Sequence, residues 1–288
     1  MTRNTAASIR ARLKQRSDVT GQDFNLTLTH FALERLLYRL SISSHAPNFL
    51  LKGALLFMLW YDTPHRPTRD IDLLGFGPDD VESVVATFRE ICQITEQDGV
   101  EFDPGSVKGS TIRKQANYGG VRVDLLGRLD GARIALQVDV GFGDAVTPAP
   151  ESVSYPVLLA DLPAPYLLAY PKYTVVAEKI HALCVLGMAN TRLKDYFDLW
   201  VLLREDALDR RELRLAIEAT FTRRRTPLPD EWPIGLSDEF ATDAAKQTQW
   251  NAFLKKNRLE AQSLSEVVQS LRESLGRTGF IWRTVWSS

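Results

Sequence analysis

The amino-acid sequence predicts an α+β protein, in which a mixed β-sheet with helices is followed by a mostly helical C-terminal region. Short apolar segments bounded by Gly, Pro and Asp recur in the first half of the chain, and such segments are typical of strands. Apolar residues at helical spacing dominate from Tyr173 onward. A proline-rich stretch from Thr147 to Pro171 separates the two patterns. We therefore expect a first domain over residues 1–165 and a second over residues 166–288.

The composition is that of a folded globular protein. The chain has 288 residues, of which 44% are hydrophobic and 25% charged, and these fractions exclude a disordered chain. A net charge of −1 means that any nucleic-acid surface must be a local patch. The N-terminal segment lacks the apolar core of a signal peptide, so we expect a cytoplasmic protein without a membrane partner. Cys92 and Cys184 are then expected to be buried, reduced thiols.

The elements of the first half can be predicted in chain order. Apolar spacing predicts helices over 5–17 and 25–41. The strand "NFLL" leads to a turn at Gly53, and "ALLFMLWY" predicts a compact helix ending before Pro64. "DIDLLGF" predicts the next strand, and a helix over 79–96 follows it. Three further strands are expected at "SVKGSTIRKQ", "VRVDLLGRL" and "ARIALQVDVGF", the last two joined by a turn at Asp130–Gly131.

The second half begins with extended segments. The proline-rich stretch is expected to wrap the core in extended conformation, because it keeps supplying Leu and Tyr. "TVVAEKIHALCVLG" then predicts a helix that stops at Gly187, and "LKDYFDLWVLLRE" predicts another.

Two aspartates one residue apart in an apolar strand are the main chemical signal. Asp70 and Asp72 project to the same side of the strand, and two adjacent like charges favour a bound cation. Asp139 in "ALQVDVGFGD" is the third candidate, and Asp124 in "VRVDLLG" is a rival that we rank below it. Three such carboxylates suit Mg²⁺, and two ions would serve phosphoryl transfer. The alternative is an exposed strand end with two solvated aspartates.

The Lys52–Gly53 pair supplies a second signal. A glycine between strand and helix lets the backbone approach a phosphate, and the helix N-terminus offers free N–H groups. A strand–Gly–helix turn alone is weak evidence. The order strand, Gly, helix, and then a strand with Asp70 and Asp72 is much more specific, because nucleotidyltransferases of the DNA polymerase β type use it.

Three blocks extend this likeness: "FLLKGALLFMLW…RPTRDIDLLGFG", "VDVGFGDAVTPAP" and "YPKYTVVAEKIHALCVLGMANTRLKDYFDLW". Over roughly residues 45–205 they resemble the AbiEii/AbiGii-type nucleotidyltransferase toxin family, which includes the MenT toxins. The resemblance implies a polymerase-β-like fold, Mg²⁺-dependent use of an NTP and a cognate antitoxin. It also implies nucleotide addition to the 3′ acceptor end of tRNA, which blocks aminoacylation and translation. Ala54 departs from the wider superfamily, which has Ser after the glycine.

The resemblance also implies roles for particular residues. Asp70, Asp72 and Asp139 would hold metal, while the NTP would contact Lys52, Gly53, Arg69 and Lys179. Lys179 and Asp195 map onto functional family positions, whereas Arg192, Lys194 and Asp198 map less firmly. On spacing alone these charges predict a solvated, salt-bridged helix face. His181 is expected to be a helix-surface histidine.

Acceptor binding and control are less clearly encoded. The candidate RNA contacts are Arg223, Arg224, Arg225, Lys255, Lys256 and Arg258, with a further cluster at Lys108, Arg113 and Lys114. Each group could equally be an ordinary solvated charge run. Thr68 is a candidate regulatory phosphosite beside Asp70, or else a cap of the loop into the strand. A small-molecule nucleotidyltransferase resembling aminoglycoside-inactivating enzymes is the alternative function, and a catalytically silent binding module is disfavoured by the intact aspartate set. We expect a monomer.

Overall fold

The computed structural model describes residues 3–61, 66–113, 119–205 and 208–277, which form two compact units. Unit one comprises Met1–Gly143 and Glu151–Ala169, and unit two comprises Asp144–Pro150 and Tyr170–Ser288. The chain therefore crosses between the units three times, where the sequence predicts one boundary near residue 165.

Unit one is built on a seven-stranded mixed sheet with the strand order β3-β4-β5-β2-β1-β7-β6. Its strands are β1 (Phe49–Lys52), β2 (Asp70–Gly75), β3 (Glu101–Arg113), β4 (Gly119–Leu129), β5 (Ala132–Phe142), β6 (Glu151–Ser154) and β7 (Tyr166–Ala169). The pairs β2–β5 and β1–β7 are parallel, and the other pairs are antiparallel. The central strands β1, β2 and β5 carry the residues of the candidate site.

Four helices belong to unit one: α1 (Arg3–Thr20), α2 (Phe24–Ile42), α3 (Phe57–Trp60) and α4 (Val81–Gln93). Helix α2 packs on β5, α4 packs on β3 and β4, and the two helices contact each other. They cover the sheet face that carries Ile71, Val123 and Val138, all at most 1% exposed. Because side chains alternate along a strand, the neighbouring aspartates lie on the opposite face.

Helix α2 also buries charge, which its apolar spacing does not predict. Arg39 is 1% exposed, and its guanidinium donates to both oxygens of Asp98 at 2.7 and 3.0 Å. It donates further to the carbonyls of Ile94 and Val100. A buried charge is tolerated only when it is paired and fully hydrogen-bonded, and Arg39 meets that condition. This cluster fixes the connection between α4 and β3 against α2.

Unit two is helical in its described part. Its helices are α5 (Lys172–Leu186), α6 (Leu193–Glu205), α7 (Arg210–Arg223), α8 (Asp238–Thr242), α9 (Ala244–Asn257) and α10 (Leu264–Arg277). Helices α5 and α7 pack together, and α6 packs on α5 and α10. Tyr196 stacks on Phe240 with ring centroids 5.0 Å apart, and its hydroxyl donates to the carbonyl of Gly235. None of the helices in the described ranges combines the length and apolar character of a membrane span.

Most predicted elements are present, with three differences. The compact helix after Gly53 is a 3₁₀ turn, Gly53–Leu56, followed by the single α-turn of α3. Strand β3 begins at Glu101, before the predicted segment, and contains an irregularity between Asp103 and Lys108. The proline-rich stretch is not merely extended, because it supplies β6 and β7 to the sheet.

Candidate active site

The strand register brings the predicted aspartates together. Asp72 on β2 pairs with Asp139 on the parallel strand β5, and Asp70 pairs with Gln137 on the same strand. Asp70, Asp72 and Asp139 are all half-buried. Asp124 pairs with Gln137 and lies one strand farther from β2, with an exposed side chain. Its position agrees with the lower rank that the sequence gives it.

A row of charged residues of both signs crosses the sheet at this level. The register aligns Lys52 of β1 with Asp72, Asp72 with Asp139, and Asp139 with Arg122 of β4. Paired residues on adjacent strands project to the same face, so four charges lie side by side on the face opposite α2 and α4. Lys52 is 7% exposed and Asp139 has a 17% exposed side chain, so the row is only partly open to solvent.

Gly53 follows this row directly and touches its central carboxylate. A Cβ atom at residue 53 would lie 2.1 Å from Asp72 Oδ2 and 2.7 Å from Asp72 Cβ. The backbone φ of +76° also falls in the region that favours glycine. The N–H groups after Gly53 belong to a short 3₁₀ turn and not to the start of the predicted helix, so a helix dipole contributes little here.

Arg122 is a site residue that the sequence analysis missed. Its Nε donates to Asp139 Oδ1 and its Nη2 to Asp139 Oδ2, both at 2.8 Å. These hydrogen bonds to Asp139 raise the pKa of Arg122. Partial burial of the guanidinium lowers it by less, and the negative charges of Asp124 and Asp70 raise it further. The only sequence signal was an arginine two residues before Asp124, and its partner is apparent only from the strand register.

Thr68 lies beside the first aspartate. Its hydroxyl donates to Asp70 Oδ1, and the residue is 9% exposed. His30 of α2 donates from Nε2 to the Thr68 carbonyl at 2.8 Å. Burial lowers the pKa of His30, although the Thr68 bond opposes this shift. The buried imidazole therefore holds Thr68 in place just before β2. Arg69, the residue between Thr68 and Asp70, is exposed.

The donor chemistry of this site fits Mg²⁺, which prefers carboxylate oxygens. Asp70 and Asp72 offer such oxygens next to the Gly53 cradle. Within the described ranges, however, no group of three or more His, Cys, Asp or Glu side chains is gathered closely enough to hold a metal ion. Arg122 gives a physical reason, because it engages both oxygens of Asp139. The donor oxygens of Asp70 and Asp72 therefore fit the metal, whereas both oxygens of Asp139 are engaged by Arg122.

Unit two contains a second charged cluster, between α5 and α6. Lys179 Nζ lies 3.0 Å from Asp195 Oδ1 and 2.6 Å from Asp198 Oδ2. Arg192 Nε lies 2.7 Å from Asp195 Oδ2. Both carboxylates have fully buried side chains, whereas Lys179 is 13% and Arg192 51% exposed. The predicted solvated helix face is therefore wrong for Asp195 and Asp198.

The pKa of Asp195 shows which effect dominates in this cluster. Burial alone would raise it, but the charges of Lys179 and Arg192 outweigh burial and the repulsion of Asp198. The net result is a lowered pKa, so Asp195 is ionised at neutral pH. The cluster holds two positive and two negative charges.

His181 and Arg224 correct two expectations. His181 is 7% exposed rather than a surface residue, and its Nε2 lies 3.0 Å from Thr226 Oγ1. Burial, assisted by Arg224, lowers the pKa of His181 to about 4. Arg224 Nη2 lies 3.1 Å from Asp144 Oδ1 and 3.2 Å from Glu178 Oε1. Because its guanidinium is already paired twice, we no longer count Arg224 as a candidate RNA contact.

The other basic candidates are surface residues where the structure describes them. Arg223, Arg225, Lys255, Lys256 and Arg258 of unit two are exposed, as is Lys108 of unit one. The side chain of Arg113, and Lys114 entirely, lie outside the described residues. Of the two cysteines, Cys92 is buried and Cys184 half-buried; both are free thiols, and burial raises the pKa of each to about 12.

Comparisons with known proteins bear on the family and the fold. The family model described as "Nucleotidyl transferase AbiEii toxin, Type IV TA system" matches residues 35–273. A solved Helicobacter pylori structure, described as that of a candidate nucleotidyltransferase, has a TM-score of 0.50 at 14% identity, covering 87% of this chain and 93% of its own. The structure of JHP933, also from Helicobacter pylori, has a TM-score of 0.50 at 13% identity, covering 87% and 90%. No curated protein matches the sequence. The likeness confirms the predicted fold class.

Proposed function

Because this chain belongs to the AbiEii family of nucleotidyltransferase toxins of type IV toxin–antitoxin systems, we propose that it adds nucleotides from an NTP to the 3′ acceptor end of tRNA. The reaction would require Mg²⁺ and would block aminoacylation and so translation. Family membership implies an NTP substrate and an antitoxin partner. The observation that carries the proposal is the charged row Lys52–Asp72–Asp139–Arg122, with Gly53 against Asp72.

The residues in and beside this row would have different tasks. Asp70 and Asp72 would hold the metal, whose charge would polarise the phosphate that is attacked. Lys52 and the backbone N–H groups after Gly53 would bind the phosphates, since Ala54 provides no hydroxyl for this purpose. Because Asp72 contacts Gly53, the groups that would bind the phosphates lie next to the groups that would bind the metal. Such preorganisation lowers the barrier to transfer.

The role of Lys179 is proposed separately, from the family position that it occupies. An ammonium group at the triphosphate would neutralise the charge that builds on the leaving pyrophosphate. Asp195 and Asp198 would then hold Lys179 in one orientation, because both carboxylates are buried and contact its Nζ.

The test is transfer of label from each of the four α-labelled NTPs to total tRNA, resolved on a denaturing gel. We expect label on tRNA with wild-type protein and Mg²⁺, and none with Asp70→Ala or Asp72→Ala, which remove metal ligands. Periodate-treated tRNA, whose terminal ribose is destroyed, should not accept label, and this would place the addition at the 3′ end. Label that reaches only a small molecule would overturn the proposal and support the aminoglycoside-like alternative.

We propose further that Thr68 is a control point of the same site. A phosphate there would add about −1.5 to −2 charge beside Asp70 and would remove the hydroxyl that now donates to this carboxylate. Thr68 is 9% exposed, so a modifying enzyme would reach its hydroxyl only after the surrounding residues move. Thr68→Glu should be inactive, whereas Thr68→Val should stay active and escape the partner antitoxin in co-expression. Mass spectrometry that finds unmodified Thr68 in fully neutralised toxin would contradict this idea.

A further inference from the structure

We propose that Arg122 is a positioning residue that occupies Asp139 in the metal-free protein and yields that carboxylate to a divalent cation. The inference rests on the metal role proposed above for the three aspartates. It concerns a step before nucleotide transfer, in which Asp139 would exchange Arg122 for the cation.

The geometry of the pair supports an exchange. Arg122 contacts both oxygens of Asp139 at 2.8 Å in a two-point arrangement, which is the strongest form of this ion pair. A cation at either oxygen would share that atom with an N–H donor of Arg122, whose positive charge opposes its binding. The strand register fixes the two backbones opposite each other, so only the side chains need to move.

The partial exposure of Arg122 and Asp139 lowers the free-energy cost of separating them. The side chain of Arg122 is 40% exposed and that of Asp139 is 17% exposed, so water can solvate the guanidinium as it leaves. Breaking this partly exposed pair therefore costs less than breaking a fully buried pair such as Arg39 with Asp98. The released guanidinium remains on the same sheet face, where a bound triphosphate would offer it another anionic partner.

The experiment measures Mn²⁺ binding to nucleotide-free protein by electron paramagnetic resonance, which detects free Mn²⁺ directly. Arg122→Gln should bind Mn²⁺ roughly three- to tenfold more tightly than wild type, because Asp139 no longer has a competing partner. Arg122→Lys keeps the charge but not the two-point contact, and we expect an intermediate affinity. Arg128→Gln is the matched control, since Arg128 lies on the same strand and face but sits 3.6 Å from Asp103. It should bind like wild type.

A double variant decides whether the effect passes through Asp139. Arg122→Gln should give no gain when combined with Asp139→Asn, relative to Asp139→Asn alone. If Arg122→Gln still raises the Mn²⁺ affinity in the Asp139→Asn background, the effect does not pass through Asp139. If Arg128→Gln raises the affinity as much as Arg122→Gln does, the effect comes from the loss of a positive charge in general. Either result would overturn the proposal. Unchanged affinity in a folded Arg122→Gln protein, judged by thermal unfolding, would also overturn it. Absence of Mn²⁺ binding by every variant would instead overturn the metal site itself.

Discussion

At residue 53, the neighbouring carboxylate leaves room for a hydrogen atom and no more. Gly53→Ala would set a methyl group 2.1 Å from Asp72 Oδ2, so either the 3₁₀ turn or the aspartate must shift. We expect at least a hundredfold loss of nucleotide transfer, because misplacing a reacting group by about 1 Å has this effect. Single-turnover transfer rates at saturating Mg²⁺ provide the measurement.

Gly131 is the matched control for this substitution. It has a φ of +78°, like Gly53, but a Cβ atom there would meet nothing within 4 Å. Gly131→Ala should therefore lose about 1 kcal/mol of stability from backbone strain and keep normal transfer. Equal transfer rates in the two variants would show that strain alone, and not contact with Asp72, explains the glycine.

Glu34 in α2 should make stability depend on pH. Burial raises its pKa from 4.5 to about 7, although Arg35 and the Leu158 N–H oppose this shift. The folded state thus binds more protons than the unfolded state between these values, so the free energy of unfolding falls as pH rises from about 4.5 to 7. Each pKa unit corresponds to about 1.4 kcal/mol.

Glu34→Gln should remove this contribution. Urea unfolding at pH 5 and pH 8 would measure the difference between variant and wild type at each pH. We expect similar stabilities at pH 5 and a variant at least as stable as wild type at pH 8. A variant that is much less stable at pH 8 would show instead that the ion pair with Arg35, at 2.6 Å, outweighs burial.

At the scale of elements, Lys179 joins α5 to α6 through two buried carboxylates. Lys179→Ala would leave Arg192 in contact with Asp195 but would remove the ammonium group from both buried carboxylates, and we expect a loss of about 3–5 kcal/mol. Lys179→Arg should keep most of the stability but restore transfer only in part, since a planar fork differs from a point charge. Urea unfolding and the KM for NTP would be measured on both variants. Normal transfer by a folded Lys179→Ala protein would reduce Lys179 to a structural role.

The elements that the sequence predicts well are those with local signals. The helices α1, α2 and α4 follow from apolar spacing, and Asp80 caps α4 by accepting from the Ser83 N–H. Strand β7 was missed because its four residues lie among prolines and are stabilised by β1, more than a hundred positions earlier. A short strand held by a non-local parallel partner leaves no periodic pattern in the sequence.

In the candidate site, too, the features with a local sequence signal were predicted and those that depend on distant parts of the chain were not. Asp70 and Asp72 were predictable because both lie on one strand, where alternation places them together. The partner of Arg122 depends on the register of β4 against β5, which no spacing reveals. The burial of Asp195 and Asp198 was missed for a related reason. Helical spacing shows which residues share a face, but not whether a second helix covers it.

At the scale of the whole molecule, near-neutral charge constrains how the proposed tRNA substrate would be bound. With a net charge of −1, attraction must come from local basic residues such as Lys255 and Lys256, both exposed in the last turn of α9. The double variant Lys255→Gln/Lys256→Gln should raise the KM for tRNA several-fold, leave the KM for NTP unchanged and weaken the salt dependence. Arg214→Gln, which removes an exposed charge paired with Glu218, should change neither value. An unchanged KM for tRNA in the double variant would exclude this patch.

The three crossings of the chain between the units have a consequence for how such a protein can evolve. Strand β7, which lies between β1 and β6 in the sheet, is encoded after the excursion through residues 144–150. A single recombination event at any one of the crossings therefore leaves at least one unit assembled from both parents. One at residue 143 would separate β1 from its partner strand, and one at residue 169 would leave residues 144–150 behind with the wrong parent. Exchange of a helical unit between relatives needs coordinated breakpoints, so the gene is inherited most readily as one piece.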